Sequence, residues 1–224
     1  MRGAGTAPGQ PAGRRRSIAV AIGVLVLLAI WFLWPSRYSK VANLGSRGAN
    51  VVAFGDSLTA GVGAGAGEDY PSALSKMVGT TVLNAGVSGD TTEGALARMQ
   101  ADVLERDPRI VIVGLGGNDF LRGVPIASTE ANLREIVRSI HRAGAMVVIL
   151  GFRFPSLSVS YEKMYARVAE EERCLLVGDL LDGILSNPSL KSDDIHPNGR
   201  GYQLMAERVA GPLRKLSKKA DKTR

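Results

Sequence analysis

The sequence predicts an α/β domain of three layers, in which about five parallel strands carry helices on both faces, preceded by one apolar helix near the amino terminus. Three observations predict it. Five short runs rich in Val, Ile and Leu recur between residues 51 and 177 without apolar–polar alternation, as strands covered on both faces require. Stretches of helical period separate these runs with short connections, and strand–helix alternation implies a parallel sheet. Ahead of them all, the 17 residues from Ile18 to Trp34 include no polar or charged side chain.

Residues 1–17 are rich in Gly, Ala, Pro and Arg, lack apolar periodicity, and read as a basic, disordered head. As a helix, Ile18–Trp34 would span roughly 25 Å, close to the ~30 Å hydrocarbon core of a bilayer. Arg14, Arg15 and Arg16 precede it, and Trp31 and Trp34 mark its far end, as at a membrane–water interface. The run exceeds the apolar core of about 7–15 residues typical of a secretory signal. Pro35-Ser36-Arg37-Tyr38-Ser39-Lys40 offers no pair of small residues for cleavage. A transmembrane signal-anchor over 18–34 is therefore expected, with a cleaved, secreted form as the alternative. A core helix would rarely be apolar on every face. Positive charge stays inside, which leaves the following domain on the extracytoplasmic side, periplasmic or extracellular.

Residues 35–49 read as a polar linker and 50–216 as the domain. Its candidate strands are Val51–Phe54, Thr81–Asn84, Ile110–Leu115, Met146–Leu150 and Leu175–Val177. Leu133, Ile136, Val137 and Ile140 lie on one face of a helix that ends near Ala143-Gly144. Thr92–Glu105, Ser158–Glu172 and Gly201–Leu216 are further helix candidates, and 217–224 reads as a solvated basic tail. The formal charge of +7 belongs to the ends, which carry +4 and +5 and leave the body between them at −2. A nucleic-acid reader would carry its basic stripe on the folded body, so no nucleic-acid partner is expected. Cys174, the single cysteine, has no internal disulfide partner and reads as a small buried residue. Two histidines and no Cys/His cluster leave no dedicated metal site.

In parallel sheets ligands bind beyond the carboxy ends of strands. Gly55-Asp56-Ser57-Leu58 follows the first strand there, and a serine so placed needs a neighbouring imidazole to become a nucleophile. The Gly-x-Ser-x-Gly elbow is absent, because Thr59 takes its last place. Asn84-Ala85-Gly86-Val87-Ser88-Gly89-Asp90-Thr91 follows the second strand, Gly114-Leu115-Gly116-Gly117-Asn118-Asp119 the third, and Asp193-Asp194-Ile195-His196-Pro197-Asn198 lies near the end. In that order the four blocks resemble those of the GDSL/SGNH hydrolases, over about Asn50 to Leu216. The compact bacterial thioesterase/lysophospholipase/arylesterase branch is the most similar.

That resemblance implies a flavodoxin-like SGNH hydrolase fold and a set of roles. Ser57 would be the nucleophile, His196 the general base and then acid, and Asp193 the group that orients the imidazole. The oxyanion hole would comprise the backbone N–H groups of Ser57 and Gly89 with the side-chain amide of Asn118, since preorganised donors stabilise a tetrahedral acyl intermediate. Family spacing selects Asp193 over Asp194, which would cap the turn. Asp56 and Asp119 read as supporting groups or as capping and surface residues, and His141 as a non-catalytic residue near a helix end. Gly61–Gly67 lacks the Gly-Lys-Ser/Thr ending of a phosphate loop and reads as a flexible rim of the site. Arg122–Thr129 and Phe152–Val159 are expected to line the pocket.

The expected activity is hydrolysis of small-molecule or lipid acyl esters: aryl esters, short- to medium-chain acyl esters or thioesters, or lysophospholipids. Carbohydrate O-deacetylation on the same fold is the alternative, and a non-catalytic membrane-attached binding module the other. The compact branch works without cofactors, and none is expected. Metal-dependent phosphatase or nuclease chemistry would need ligand clusters or a basic body. Oligomeric state has no signature in the sequence.

Overall fold

A computed structural model describes residues 36–153 and 158–223. The expected membrane span Ile18–Trp34 and the head before it lie outside the described residues. Among the described residues no helix is long and apolar enough to cross a membrane.

Five strands form one sheet: β1 (Asn50–Gly55), β2 (Val82–Gly86), β3 (Pro108–Gly114), β4 (Met146–Leu150) and β5 (Leu175–Val177). Their order is β2-β1-β3-β4-β5, and every pair is parallel. Val111, Ile112 and Val113 on β3 and all of β4 are buried, which is why these strands read as continuous apolar runs. Between them lie α1 (Ser57–Ala60), α2 (Tyr70–Val78), α3 (Thr92–Asp102), α4 (Gly117–Leu121), α5 (Ile126–Arg142) and α6 (Ser158–Glu171), with α7 (Gly199–Asp221) last. α2 packs with α7, α3 with α5, and α5 with α6. Two helical layers follow from right-handed crossovers, because the chain steps one way from β1 to β2 and the other way ever after.

The stripe Leu133, Ile136, Val137 and Ile140 is the buried face of α5 as expected, and Gly144 beyond its end takes φ +81°. Four expectations change. α2 is an additional helix, started by Asp69, whose Oδ1 accepts from Ser72 N–H, and by Pro71 in the first turn. α7 continues past Leu216 through the supposed tail to Asp221, because Leu213, Leu216 and Ala220 recur at spacings of 3 and 4 and are all buried. The supposed linker is laid against the domain: Val41 is buried, and Asn43 Nδ2 donates to the His141 and Ala145 carbonyls at 2.9 and 3.0 Å. Cys174 is half-buried, and burial still pushes its thiol up to about 12.

The sheet order has a functional consequence. β1 and β3 are neighbours from which the chain departs in opposite directions, so a crevice opens beyond their carboxy ends. Gly55 pairs with Gly86 on one side and Gly114 on the other. Three of the four sequence blocks thus emerge side by side.

Candidate active site

Ser57 opens α1 directly after β1. Asp56 caps this single turn, its Oδ1 accepting from Leu58 N–H at 3.0 Å. The turn is tight enough that a Cβ on Gly55 would lie 2.2 Å from Thr59 Oγ1 and 2.5 Å from the Gly114 carbonyl oxygen. Ser57 N–H belongs to the first helical turn, where no carbonyl of the helix itself can reach it.

Asp193 and His196 come from the loop before α7. Asp193 Oδ1 accepts from the backbone N–H groups of Ile195 and His196 at 2.9 and 2.8 Å, which folds the loop into a turn. Asp193 Oδ2 then meets His196 Nδ1 at 2.8 Å, and His196 Nε2 lies 3.0 Å from Ser57 Oγ. A carboxylate only accepts, so in the neutral ring the proton sits on Nδ1 and the Nε2 lone pair faces the hydroxyl. The bond to His196, with the Ile195 N–H next in importance, holds the Asp193 carboxyl below the usual range. Asp194 does not cap this turn; it is fully exposed and pairs with Lys191 at 3.2 Å. Asn198 ties the loop down, its Nδ2 donating to Ser189 O and Lys191 O at 2.9 and 3.3 Å while its Oδ1 caps α7.

Gly89 lies in the β2–α3 loop at φ +78°, a conformation that a side chain would strain. Asn118, on α4, donates through Nδ2 to the Asp90 carbonyl at 3.0 Å and to Asp56 Oδ2 at 3.3 Å. Ser57, Gly89, Asn118 and His196 all line one cavity of about 130 Å³. Leu121 and Ile195 form its apolar lips and are 52% and 41% exposed.

Asp56 is buried in the lining of this cavity. Burial pushes its carboxyl up to about 6, an effect opposed by the Leu58 N–H, increased by the charge of Asp90 and reduced by His196. Asp119 is buried too and is structural rather than a surface group. It accepts from Thr92 N–H at 2.9 Å and Thr92 Oγ1 at 2.5 Å, which locks α4 to the start of α3.

Other expected residues fall beside the cavity or away from its lining. Gly61–Gly67 does not line it; Tyr202 Oη donates to the Val62 carbonyl at 2.8 Å, and a Cβ on Gly63 would strike Ser192 Oγ at 2.0 Å. This stretch braces the histidine loop. Of Arg122–Thr129, Arg122 reaches the Gly89 carbonyl at 2.6 Å and Thr129 is buried against Asp119. Phe152 is buried against Tyr165, and 154–157 lie outside the described residues. His141 is half-buried on α5, where desolvation lowers its pKa. Sequence reading assigned no role to Asp90, Leu121 or Ile195; the available signal was that Asp90 and Ile195 adjoin Gly89 and His196 in the chain and that Leu121 stands three residues after Asn118.

A family model described as the GDSL-like lipase/acylhydrolase family matches residues 53–204. The thioesterase 1/protease 1/lysophospholipase L1 of Escherichia coli K12 is 33% identical over 196 residues, which cover 83% of this chain and 94% of that one. The arylesterase of Vibrio mimicus is 32% identical, over 73% of this chain and 87% of its own. Among solved structures, a crystal structure of TesA superposes with a TM-score of 0.71 at 31% identity, covering 75% of this chain and 99% of that one.

Proposed function

The chain belongs to the GDSL-like lipase/acylhydrolase family, and from that premise we propose that it cleaves carboxylic acyl esters through an acyl-serine intermediate on Ser57. The observation that carries this reading is the line Asp193–His196–Ser57, at 2.8 and 3.0 Å, opening on a cavity that Gly89 and Asn118 also face. Both separations lie within the reach of about 2.6–3.2 Å that proton transfer requires.

In this mechanism His196 Nε2 takes the Ser57 Oγ proton as the oxygen attacks the acyl carbonyl. The tetrahedral oxyanion accepts from Ser57 N–H, Gly89 N–H and the Asn118 amide, which keeps one hydrogen on the Asp90 carbonyl and gives up its longer 3.3 Å bond to Asp56. His196 then protonates the leaving alkoxide or thiolate, and the same steps with water in place of the serine release the acid. Asp193 keeps the imidazole proton on Nδ1 and stabilises the imidazolium that forms.

Substrates are aryl esters, short- to medium-chain acyl esters or thioesters, and lysophospholipids. The relatives named thioesterase, lysophospholipase and arylesterase support this range. So does the cavity, which at about 130 Å³ is smaller than the ~300–1,000 Å³ typical of sites enclosing a drug-sized ligand. A short acyl group fits inside, with the remainder lying over Leu121 and Ile195. Ile18–Trp34 anchors the chain, with the arginines in the cytoplasm and the hydrolase domain outside; its length and flanking residues support that topology.

The test is turnover of the full chain, wild type and Ser57→Ala, on p-nitrophenyl esters of graded length, an acyl thioester, a lysophospholipid and an acetylated sugar. Turnover of the acyl esters that disappears in Ser57→Ala supports the reading. Turnover that survives the substitution, or that is confined to the acetylated sugar, overturns it.

A further inference from the structure

The geometry points to Arg98 as a positioning residue that builds the oxyanion side of the site, an inference that rests on the acyl-serine reading above. Arg98 lies on α3 and is not among the residues lining the cavity. Its guanidinium nonetheless holds three segments that lead into it. Nη2 donates to the Gly55 carbonyl at 2.9 Å, Nη1 to the Ala85 carbonyl at 3.0 Å, and Nε to Asp90 Oδ2 at 2.7 Å. Nη1 also meets Asp102 Oδ2 at 2.8 Å, one helical turn further on. The guanidinium carbon lies 4.4 Å from the centre of the Phe54 ring, which covers one face of the group.

Each contact has a partner in the site. Gly55 stands two residues before Ser57, and Ala85 four before Gly89. Asp90 follows Gly89, and its carbonyl receives the Asn118 amide. One planar group thereby sets the spacing of the Ser57 N–H, the Gly89 N–H and the Asn118 amide without touching the oxygen they would hold. Burial gives the arrangement its stiffness: the Arg98 and Asp90 side chains are only 18% and 8% exposed, so neither charge can be released to water cheaply. A lysine could meet Asp90, but its single ammonium cannot serve both carbonyls and the carboxylate in the same plane.

A salt bridge that only fastened α3 would affect stability and leave the oxyanion donors independent of it. A double-substitution cycle on the full chain separates the two roles, with kcat and KM measured for wild type, Arg98→Ala, Asn118→Ala and the pair, and folding followed by circular dichroism. Arg98→Ala is expected to lower kcat by about 100-fold with KM little changed, the scale of a 1 Å misplacement. In the Asn118→Ala background its effect is expected to shrink by at least about fivefold, because both changes act on the same amide. Equal losses in the two backgrounds, or a change confined to KM, would overturn the assignment. If Arg98→Ala does not fold, Arg98→Lys takes its place in the same cycle, with a smaller loss and the same coupling. Wild-type turnover that survives Ser57→Ala removes the acyl-serine reading and this inference with it; Ser57-dependent turnover with additive losses removes Arg98 alone.

Discussion

Ser57, Gly89 and Asn118 stand beyond the ends of three adjacent strands, whereas Asp193 and His196 stand on a turn that no strand supports. The first group rests on buried ground, with Asp56, Asp119 and Thr92 all under 3% exposed beneath it. The second is more open at its far end: the Asp193 side chain is 52% exposed, while His196, turned in over Ser57, is 14% exposed. Long-range packing therefore fixes the groups that would meet a developing charge, while bonds within three residues set the tautomer and direction of the group that would carry the proton. A charge in a tetrahedral intermediate needs donors that do not reorganise. A proton carrier needs only to keep its tautomer and direction, and two backbone N–H groups with one carboxylate supply both.

The largest loss is expected at the exposed arm. Asp193→Asn is expected to lower kcat by about 10⁴-fold, the scale of loss when a triad carboxylate becomes an amide and the tautomer is lost. Steady-state kinetics would show this, and a loss under tenfold would mean that the turn alone orients His196. On the buried side, Asn118→Ala is expected to lower kcat by ~10²–10³; an unchanged kcat would take its amide out of the oxyanion hole.

Asp56 gives a pH test of that same side. Its folded pKa of about 6 lies above the ordinary 3.8, so the native state binds the proton more tightly than the unfolded chain does. The contribution to stability is thus fully present below pH 3.8 and lost as pH rises toward about 6, a change on the order of 3 kcal/mol. Asp56→Asn is expected to flatten the dependence of denaturant stability between about pH 4 and 6 relative to wild type; parallel curves would show that Asp56 takes up its proton equally in the folded and unfolded states. The smallest effect belongs to Asp194. It is exposed and pairs with Lys191, and its change to Asn is expected to leave kcat/KM within about twofold, the size of an ordinary surface substitution.

The same contrast decides what could be read in advance. The chemistry of the exposed arm is local, so Asp193, three residues before His196, carries its own signature. β4 and β5 were legible residue by residue because each is an unbroken apolar run ended by glycine, at Gly151 and Gly178, with β4 buried throughout and β5 half-buried only at Leu176. Arg98 was not legible. Its acceptors in the site lie 8, 13 and 43 residues away, and the one in its own helix, Asp102 four residues on, is the partner an ordinary solvated arginine would have. α2 escaped because it is only nine residues long: Tyr70, Ala73, Leu74, Met77 and Val78 share one face, but two turns after the cap at Asp69 leave little periodicity to read. The extension of α7 escaped because lysines crowd the exposed face of its last turns, and only Leu213, Leu216 and Ala220 mark the buried one.

The central claim is that Ser57 is the nucleophile, and covalent labelling of the full chain by a fluorophosphonate, followed by peptide mapping, tests it most directly. A nucleophilic Ser57 gives a single adduct, on Ser57, that is absent from Ser57→Ala and forms far more slowly in His196→Ala. An adduct on another residue, or equal labelling of Ser57→Ala and wild type, would contradict it.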